Sequence, residues 1–506
     1  MGEKACRTVA EPFPASKLPG SATLSPVRIV YASSEMAPWA KTGGLADVSA
    51  ALPKALAAAG HEVTCFLPRY GSIAFPPGRF VGSVHVPVDA LHRSAGFYEN
   101  ELAPGLRVIF VEHPPFFDRA GLYGDSFGDF GDNELRFAFF SRAVLEFCRS
   151  RGYRPDVFHA HDWQTGLIPV YLKSFYADDP TLHRVPCVFT IHNLAYQGIF
   201  KSSTLDALGL PASLASEEAL DWHGSISYMK GGLLFSEVVT TVSPTYAAEI
   251  QTAEFGHGLE GVVRSRAEDL VGILNGVDYD EWDPRNDPHI AARYADDDHE
   301  GKAACKRALL EEYGLAAEPD LPVIGIISRL VHQKGFDLVA AAMEPLLSRR
   351  IRMVVLGTGE PDVENALREF MRRDPLRFGA RFQYDSGLAH RIEAGADMIL
   401  MPSRFEPCGL TQMYSMRYGT VPIVRATGGL ADTVEPFDAS AEAGTGFVFQ
   451  HADTTGLLWA IDEALRAYDD PGSWSDLMRR GMTRDFSWQL SAERYATVYS
   501  LSQSNV

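Results

Sequence analysis

The hexapeptide Thr-Gly-Gly-Leu-Ala-Asp occurs twice in this chain of 506 residues, at Thr42–Asp47 and at Thr427–Asp432. Each copy follows an apolar, strand-like run and leads into a helix-like stretch. A Gly-Gly pair at a strand-to-helix turn lets backbone approach a ligand closely, because no Cβ stands in the way. The first N–H groups of the helix then favour an anion. Two such turns in opposite halves of the chain suggest two similar sheets, expected to face one ligand across a cleft.

The intervening rhythm agrees. Val27–Ala32 reads as a buried strand, followed by the first turn, an Ala/Leu-rich helix closed by Gly60, and a strand at Glu62–Leu67, which makes a βαβ unit. Further strands are predicted at Arg107–Val111, Val157–Ala160, Val185–Ile191, Val238–Val242 and Val271–Leu274, with a helix at Asn133–Ser150. The loosely charged stretch Asp280–Asp298 breaks the pattern and marks a domain junction or an excursion near it. A second series has strands at Val323–Ser328, Arg352–Leu356, Arg381–Tyr384, Met398–Pro402, Val421–Arg425 and Gly446–Phe449, with helices at Gly409–Tyr418 and Thr454–Tyr468. A final helix, about Ala492–Gln503, follows a break at Asp485–Trp488. Alternation of this kind implies an α/β fold: two doubly wound, parallel-sheet, Rossmann-like domains. The expected divisions are a disordered tail at 1–26, domains at 27–272 and 273–485, and a terminal helix within 486–506.

Charge narrows the partners. The formal net charge is −19, which disfavours nucleic acid and anionic membranes. A phosphate-bearing substrate must then be held by local Lys and Arg. The six cysteines are scattered without a CxxC, so zinc is not indicated and reduced core thiols are expected. Residues 1–26 lack an apolar signal core. A transit peptide is the less favoured reading of them, since Glu3 and Glu11 count against it. No apolar run is long enough to span a membrane. The expected location is the cytoplasm, with a plastid as the alternative.

Four polar clusters sit at predicted strand ends, where ligands bind in such sheets. Lys41 stands before the first Gly-Gly turn and suits a phosphate; the bland alternative is an exposed Lys beside a tight turn. His159-Ala-His-Asp-Trp163 follows a strand; Asp162 there could cap a helix, or the histidines could ligate a metal, though no third ligand accompanies them. His192-Asn193 ends another strand, and a lone His there could be purely structural. Arg329 and Lys334, on the loop after Val323–Ser328, suit a pyrophosphate, with a solvated face as the alternative. Glu406 follows Met398–Pro402 beside Gly409-Leu410-Thr411, one carboxylate next to an anion-binding helix start. Gly357-Thr-Gly359 lacks the third glycine of a dinucleotide fingerprint, because Asp362 takes that place. Asp278-Tyr-Asp280 reads as part of a turn, not a metal site.

Together these pieces resemble the bacterial and plant glycogen and starch synthases of glycosyltransferase family 5. The resemblance rests on Ser34-Glu-Met-Ala-Pro38 with Lys41-Thr-Gly-Gly-Leu45, His159-Ala-His-Asp-Trp163, His192-Asn-Leu-Ala-Tyr-Gln-Gly198, Val242-Ser-Pro-Thr-Tyr246, Asn275-Gly-Val-Asp278, Ser328-Arg329 with Gln333-Lys-Gly335, Pro402–Gln412 and Thr427–Thr433. It implies the GT-B fold, with acceptor on the N-terminal domain, nucleotide-sugar on the C-terminal one, and the last helix crossing back to the first. It implies glucosyl transfer from ADP-glucose to the non-reducing end of an α-1,4-glucan with retention, without metal or cofactor. Carried across by motif, Glu406, His192 and Asp162 are catalytic. Lys41, Gly44, Asn275, Arg329, Lys334, Tyr384, Gly409, Leu410 and Thr411 bind substrate, Tyr384 by stacking on the base. The rival readings are a GT-B transferase using UDP- or GDP-sugars on a small acceptor, and a non-catalytic glucan-binding protein.

Overall fold

The computed structural model describes residues 25–89, 93–316, 318 and 320–504. The chain divides into two compact units. One runs to Gly276 and takes in the segment from Trp488 onward; the other is Val277–Ser487. The expected N-terminal tail, and Cys6 with it, falls almost entirely outside the described residues.

Among the described residues the first unit is built on a nine-stranded sheet. Its strands are β1 (Arg28–Ala32), β2 (Glu62–Pro68), β3 (Arg79–Val86), β4 (Arg93–Ala103), β5 (Leu106–Glu112), β6 (Val157–His161), β7 (Cys187–Ile191), β8 (Val238–Thr241) and β9 (Leu270–Gly272). They lie in the order β9-β8-β7-β6-β1-β2-β5-β4-β3. Seven of these strands pair in parallel and are apolar on both faces, as a sheet covered by helices demands. The edge departs from the purely parallel expectation: β3 and β4 form an antiparallel hairpin added to β5. Its residues are mostly half or fully exposed and mix polar with apolar side chains, so no continuous apolar run announced it.

Helix α1 (Gly44–Ala58) follows β1 and buries Leu45, Val48, Leu52 and Leu56 at helical spacing. Burying each such side chain contributes about 1.5–3 kcal/mol. The last helix, α6 (Trp488–Ser504), packs on α1. It begins at Trp488, earlier than the sequence suggested. The Ser491 hydroxyl donates to the Leu274 carbonyl (2.6 Å) and Tyr499 meets buried His159.

The second unit carries a six-stranded parallel sheet: β10 (Val323–Ile327), β11 (Arg352–Leu356), β12 (Phe378–Arg381), β13 (Met398–Met401), β14 (Val421–Arg425) and β15 (Phe447–Phe449). The order is β12-β11-β10-β13-β14-β15. Alternate residues of one strand feed opposite cores. Met353 and Val355 join Val339, Met343 and Ile461 on one face; Val354 and Leu356 join Leu309, Leu310 and Ile392 on the other. That is the period of two expected for a strand buried on both sides. The helices used below are α3 (Phe336–Leu347), α4 (Thr411–Arg417) and α5 (Gly428–Thr433), α2 being Asn133–Ser150 of the first unit.

Three local expectations shift. β12 ends at Arg381, so Tyr384 lies beyond the strand in a loop and is 75% exposed. Helix α4 is shorter than Gly409–Tyr418, leaving Gly409 and Leu410 in the turn before it. Asp280–Asp298 belongs to the second unit and is no loose junction. In it Trp282 stacks between His390 (3.8 Å between ring centres) and Tyr414 (4.1 Å), and Asp287 is buried, accepting from the Tyr418 hydroxyl (2.6 Å). Charged residues had masked this inward-facing set.

Candidate active site

In the first unit the strand-end residues of interest sit on loops after β1, β6, β7 and β9. β1, β6 and β7 are neighbours in the sheet, so their loops meet. Asp162 and His192 are brought together: the His192 N–H donates to Asp162 Oδ1 (2.7 Å). Asp162 is not a helix cap; the short helical turn after it receives no side-chain hydrogen bond. It adopts φ +55°, a conformation that costs a non-glycine residue on the order of 1–3 kcal/mol. This backbone turn aims the carboxylate back at the His192 amide. Burial pushes Asp162 up to about 7, against the backbone N–H groups of His192 and Asn193, which favour the charged form.

The histidines divide in role. His159 is fully buried and saturated, with Nδ1 on the Tyr499 hydroxyl (2.9 Å) and Nε2 on the Thr190 hydroxyl (2.7 Å). It locks α6 to the sheet. His161 Nδ1 and His192 Nε2 share a hydrogen bond of 2.9 Å, and buried His161 Nε2 has no partner among the described residues. Burial pushes His192 down to about 3, and His159 and His161 well below the usual imidazole range, so all are neutral. Their folded-state pKa values lie below the unfolded value near 6.5, so the stability they confer is complete above that pH. It is lost as pH falls, because the unfolded chain then binds protons that the folded one refuses. Below pH ~6.5 the first unit is expected to lose roughly 1.4 kcal/mol per pH unit for His192, with His159 and His161 adding to the loss in the same direction. Thermal unfolding between pH 7.5 and 5 measures this; an unchanged midpoint refutes it.

The loop before α1 holds a buried acidic residue. Glu35 is 4% exposed. Its Oε2 accepts the Thr42 and Gly43 N–H groups (2.6 and 3.2 Å), and its Oε1 accepts the hydroxyls of Thr42 (2.6 Å) and Tyr123 (2.7 Å). Two amides of this turn, those of Thr42 and Gly43, are thereby taken by an internal carboxylate and are not offered to a ligand. The signal was present as an acidic residue seven positions before Thr42, but its reach back to the turn is a tertiary fact. Lys41 and Gly44 are exposed beside it, and Lys41 Nζ pairs with Asp47 (2.6 Å). Asn275, after β9, is 5% exposed, and its Oδ1 has no partner among the described residues.

In the second unit the loops after β10 and β13 converge. Lys334 Nζ lies 2.6 Å from Glu406 Oε2, which also accepts the Ser403 hydroxyl (2.9 Å). Glu406 is 5% exposed. The Arg404 N–H donates to the Gln333 carbonyl (2.8 Å), tying the loops together, while exposed Arg329 donates to Gln333 Oε1 (3.5 Å). Gly409, Leu410 and Thr411 are half-exposed at the start of α4. Tyr384 stands on the loop after β12. Gly357-Thr-Gly359 has a structural use: the Leu330 N–H donates to the Thr358 carbonyl (2.9 Å), joining two strand-end loops. Among the described residues no three His, Cys, Asp or Glu side chains are grouped as a metal ion would need.

The two hexapeptides serve opposite ends. Thr42, Gly43 and Gly44 are exposed, and a Cβ placed on Gly43 would meet nothing within 4 Å. Thr427, Gly428 and Gly429 are buried. A Cβ on Gly428, at φ +45°, would lie 1.9 Å from the Glu406 carbonyl oxygen, and one on Gly429 2.0 Å from that of Cys408. The second copy is a packing device behind Glu406.

Residues 28–265 match the starch synthase catalytic domain, and residues 314–477 match the glycosyl transferases group 1 family. The chain is 50% identical to a glycogen synthase of Anaeromyxobacter sp. (strain Fw109-5), over 94% of this chain and 99% of that one. The chain belongs to the glycogen and starch synthase family. As such a synthase it transfers glucosyl units in glycogen or starch synthesis, from a nucleotide-sugar to a glucan. It is also 48% identical to the glycogen synthase of Koribacter versatilis (strain Ellin345), over 94% and 98% of the two chains. Among solved structures, the catalytic domain of starch synthase IV from Arabidopsis thaliana, bound to ADP and acarbose, has a TM-score of 0.88 at 37% identity. It covers 95% of this synthase and 100% of that chain. A sucrose-phosphate synthase from Thermosynechococcus elongatus (TM-score 0.60, 20% identity, 93% and 98% covered) shares the GT-B fold.

Proposed function

We propose that the donor is ADP-glucose and that glucose passes with retention to the non-reducing 4-OH of an α-1,4-glucan, in the cytoplasm. The observation that carries this reading is the Lys334–Glu406–Ser403 group at the ends of β10 and β13: a cation and a buried carboxylate 2.6 Å apart. Arg329 and Lys334 hold the diphosphate, and the Gly409-Leu410-Thr411 turn takes its distal phosphate. As the C1–phosphate bond breaks, these cations stabilise the leaving ADP without a metal. Glu406 lends negative charge to the oxocarbenium-like sugar. The acceptor 4-OH attacks C1 from the side of the departing phosphate, which takes the hydroxyl proton, so retention needs no covalent adduct. Trapping a glucosyl ester on Glu406 would overturn this route.

Asp162, His192 and Asn275 serve the reacting sugar and acceptor. Neutral His192 can donate or accept a hydrogen bond without adding charge, and the unpartnered Asn275 oxygen can accept a sugar hydroxyl. Tyr384, exposed on its loop, stacks on the adenine. The ADP-bound Arabidopsis neighbour supports the choice of nucleotide.

ADP release with glycogen primer, comparing ADP-glucose with UDP- and GDP-glucose, tests the donor. A preference for UDP-glucose would favour the rival transferase reading. Lys41 adds a further cation for the donor. Its pair with Asp47 is solvent-accessible, the side chains being 34% and 28% exposed, so it contributes at most ~1 kcal/mol to stability. Lys41→Ala is therefore expected to raise the donor KM and cut kcat with the melting temperature unchanged. Wild-type kinetics would refute the role.

A further inference from the structure

We propose that Glu35 is a positioning residue for the donor, acting through Lys41: its carboxylate is a built-in anion that holds the Lys41–Gly44 turn in the shape the donor meets. This rests on the donor role assigned to Lys41 above. The geometry is specific. Four donors converge on one buried carboxylate, two of them the backbone N–H groups of Thr42 and Gly43. Those amides precede a helix and would otherwise be unsatisfied or bound by water. A carboxylate accepting several N–H and O–H groups makes charge-assisted bonds, about twice as strong as neutral ones.

The anchor is itself fixed. Glu35 lies three residues beyond the end of β1, and the Ser33 hydroxyl donates to its carbonyl (2.9 Å). The Ala37 N–H donates to the Ala46 carbonyl (3.0 Å), and Met36 bridges to Ala40. The loop is thus closed on itself at both ends, with Glu35 at its centre and Lys41 and Gly43 on its exposed side. Nothing fills the space next to Gly43. The carboxylate therefore takes the amides on the protein side and leaves the outer side of the turn, with Lys41, for the ligand. A flexible Lys presented on an ordered turn loses less freedom when it binds phosphate, which is the benefit of preorganisation.

The test is a set of variants of the full chain. In Glu35→Ala the donor kcat/KM is expected to fall ~10–100-fold, the scale of misplacing a positioned group, with the apparent affinity for glycogen within about twofold of wild type. Glu35→Gln keeps the shape, and its amide oxygen can accept the same N–H groups, so it recovers most of the loss. The decisive readout is a double-mutant cycle: if Glu35 works through Lys41, the Glu35→Ala/Lys41→Ala protein loses no more than the worse single variant. Additive losses overturn the inference, as does an unchanged donor kcat/KM in Glu35→Ala. Hydrogen exchange of the Thr42 and Gly43 amides provides a readout independent of catalysis. It is expected to quicken at least tenfold in Glu35→Ala and not in Glu35→Gln; equal protection in all three proteins overturns the inference. Absence of glucosyl transfer by the wild-type protein would instead fault the functional reading, leaving the exchange result to judge the turn.

Discussion

Glu406→Ala is expected to lower kcat at least ~100-fold, the loss typical of deleting one preorganised electrostatic stabiliser. The buried carboxylate accepts from Lys334 and Ser403, so its removal has two separable effects. The sugar loses the negative charge that favours its oxocarbenium character. Lys334, with a side chain only 18% exposed, loses its counter-ion, and a diphosphate becomes its best remaining partner. ADP is therefore expected to bind as tightly as in the wild type or more so, while turnover collapses. General damage to the fold cannot produce that pairing, since it would weaken both. Titration calorimetry with ADP beside steady-state kinetics measures the two. A kcat within tenfold of wild type would remove Glu406 from the centre of the chemistry.

The second large effect concerns the repeated hexapeptide. Gly428→Ala places a methyl group against the Glu406 carbonyl at a left-handed backbone position. Backbone strain and overpacking together cost about 3–5 kcal/mol. The melting transition of the second unit is expected to drop by several degrees, with activity lost through displacement of Glu406. Gly43→Ala, the corresponding change in the first copy, meets open space and an extended backbone (φ −159°). Its melting temperature is expected to stay within a degree of wild type, and any loss must appear in donor kinetics. Equal destabilisation by the two substitutions would refute the contrast.

Much of the molecule was legible because buried parallel strands write themselves as apolar runs. Val323–Ile327, Arg352–Leu356 and Val421–Arg425 stand where the pattern put them. The β3–β4 hairpin was not legible, because a half-exposed edge strand mixes polar and apolar residues. Tyr384 was displaced from its predicted strand for a similar reason: Phe378–Arg381 mixes Gly and Arg with its apolar residues and gives no clear end signal. At the site, motif spacing placed Glu406 and Lys334 on strand-end loops, but not their 2.6 Å pairing across loops far apart in sequence.

Sequence alone determined the class of this protein: strand–turn–helix units in two series, strand-end cations and carboxylates, and motifs specific to glycogen and starch synthases. These are local properties, set by residue type and short spacing. Which groups meet was decided only by tertiary structure. Identical Thr-Gly-Gly-Leu-Ala-Asp segments became an exposed turn held by Glu35 in one unit and a buried wedge behind Glu406 in the other. Their local geometry is encoded by the same six residues, but their surroundings come from chain segments distant in sequence. A glycine's missing Cβ serves a ligand where space is open and a neighbouring backbone where it is filled.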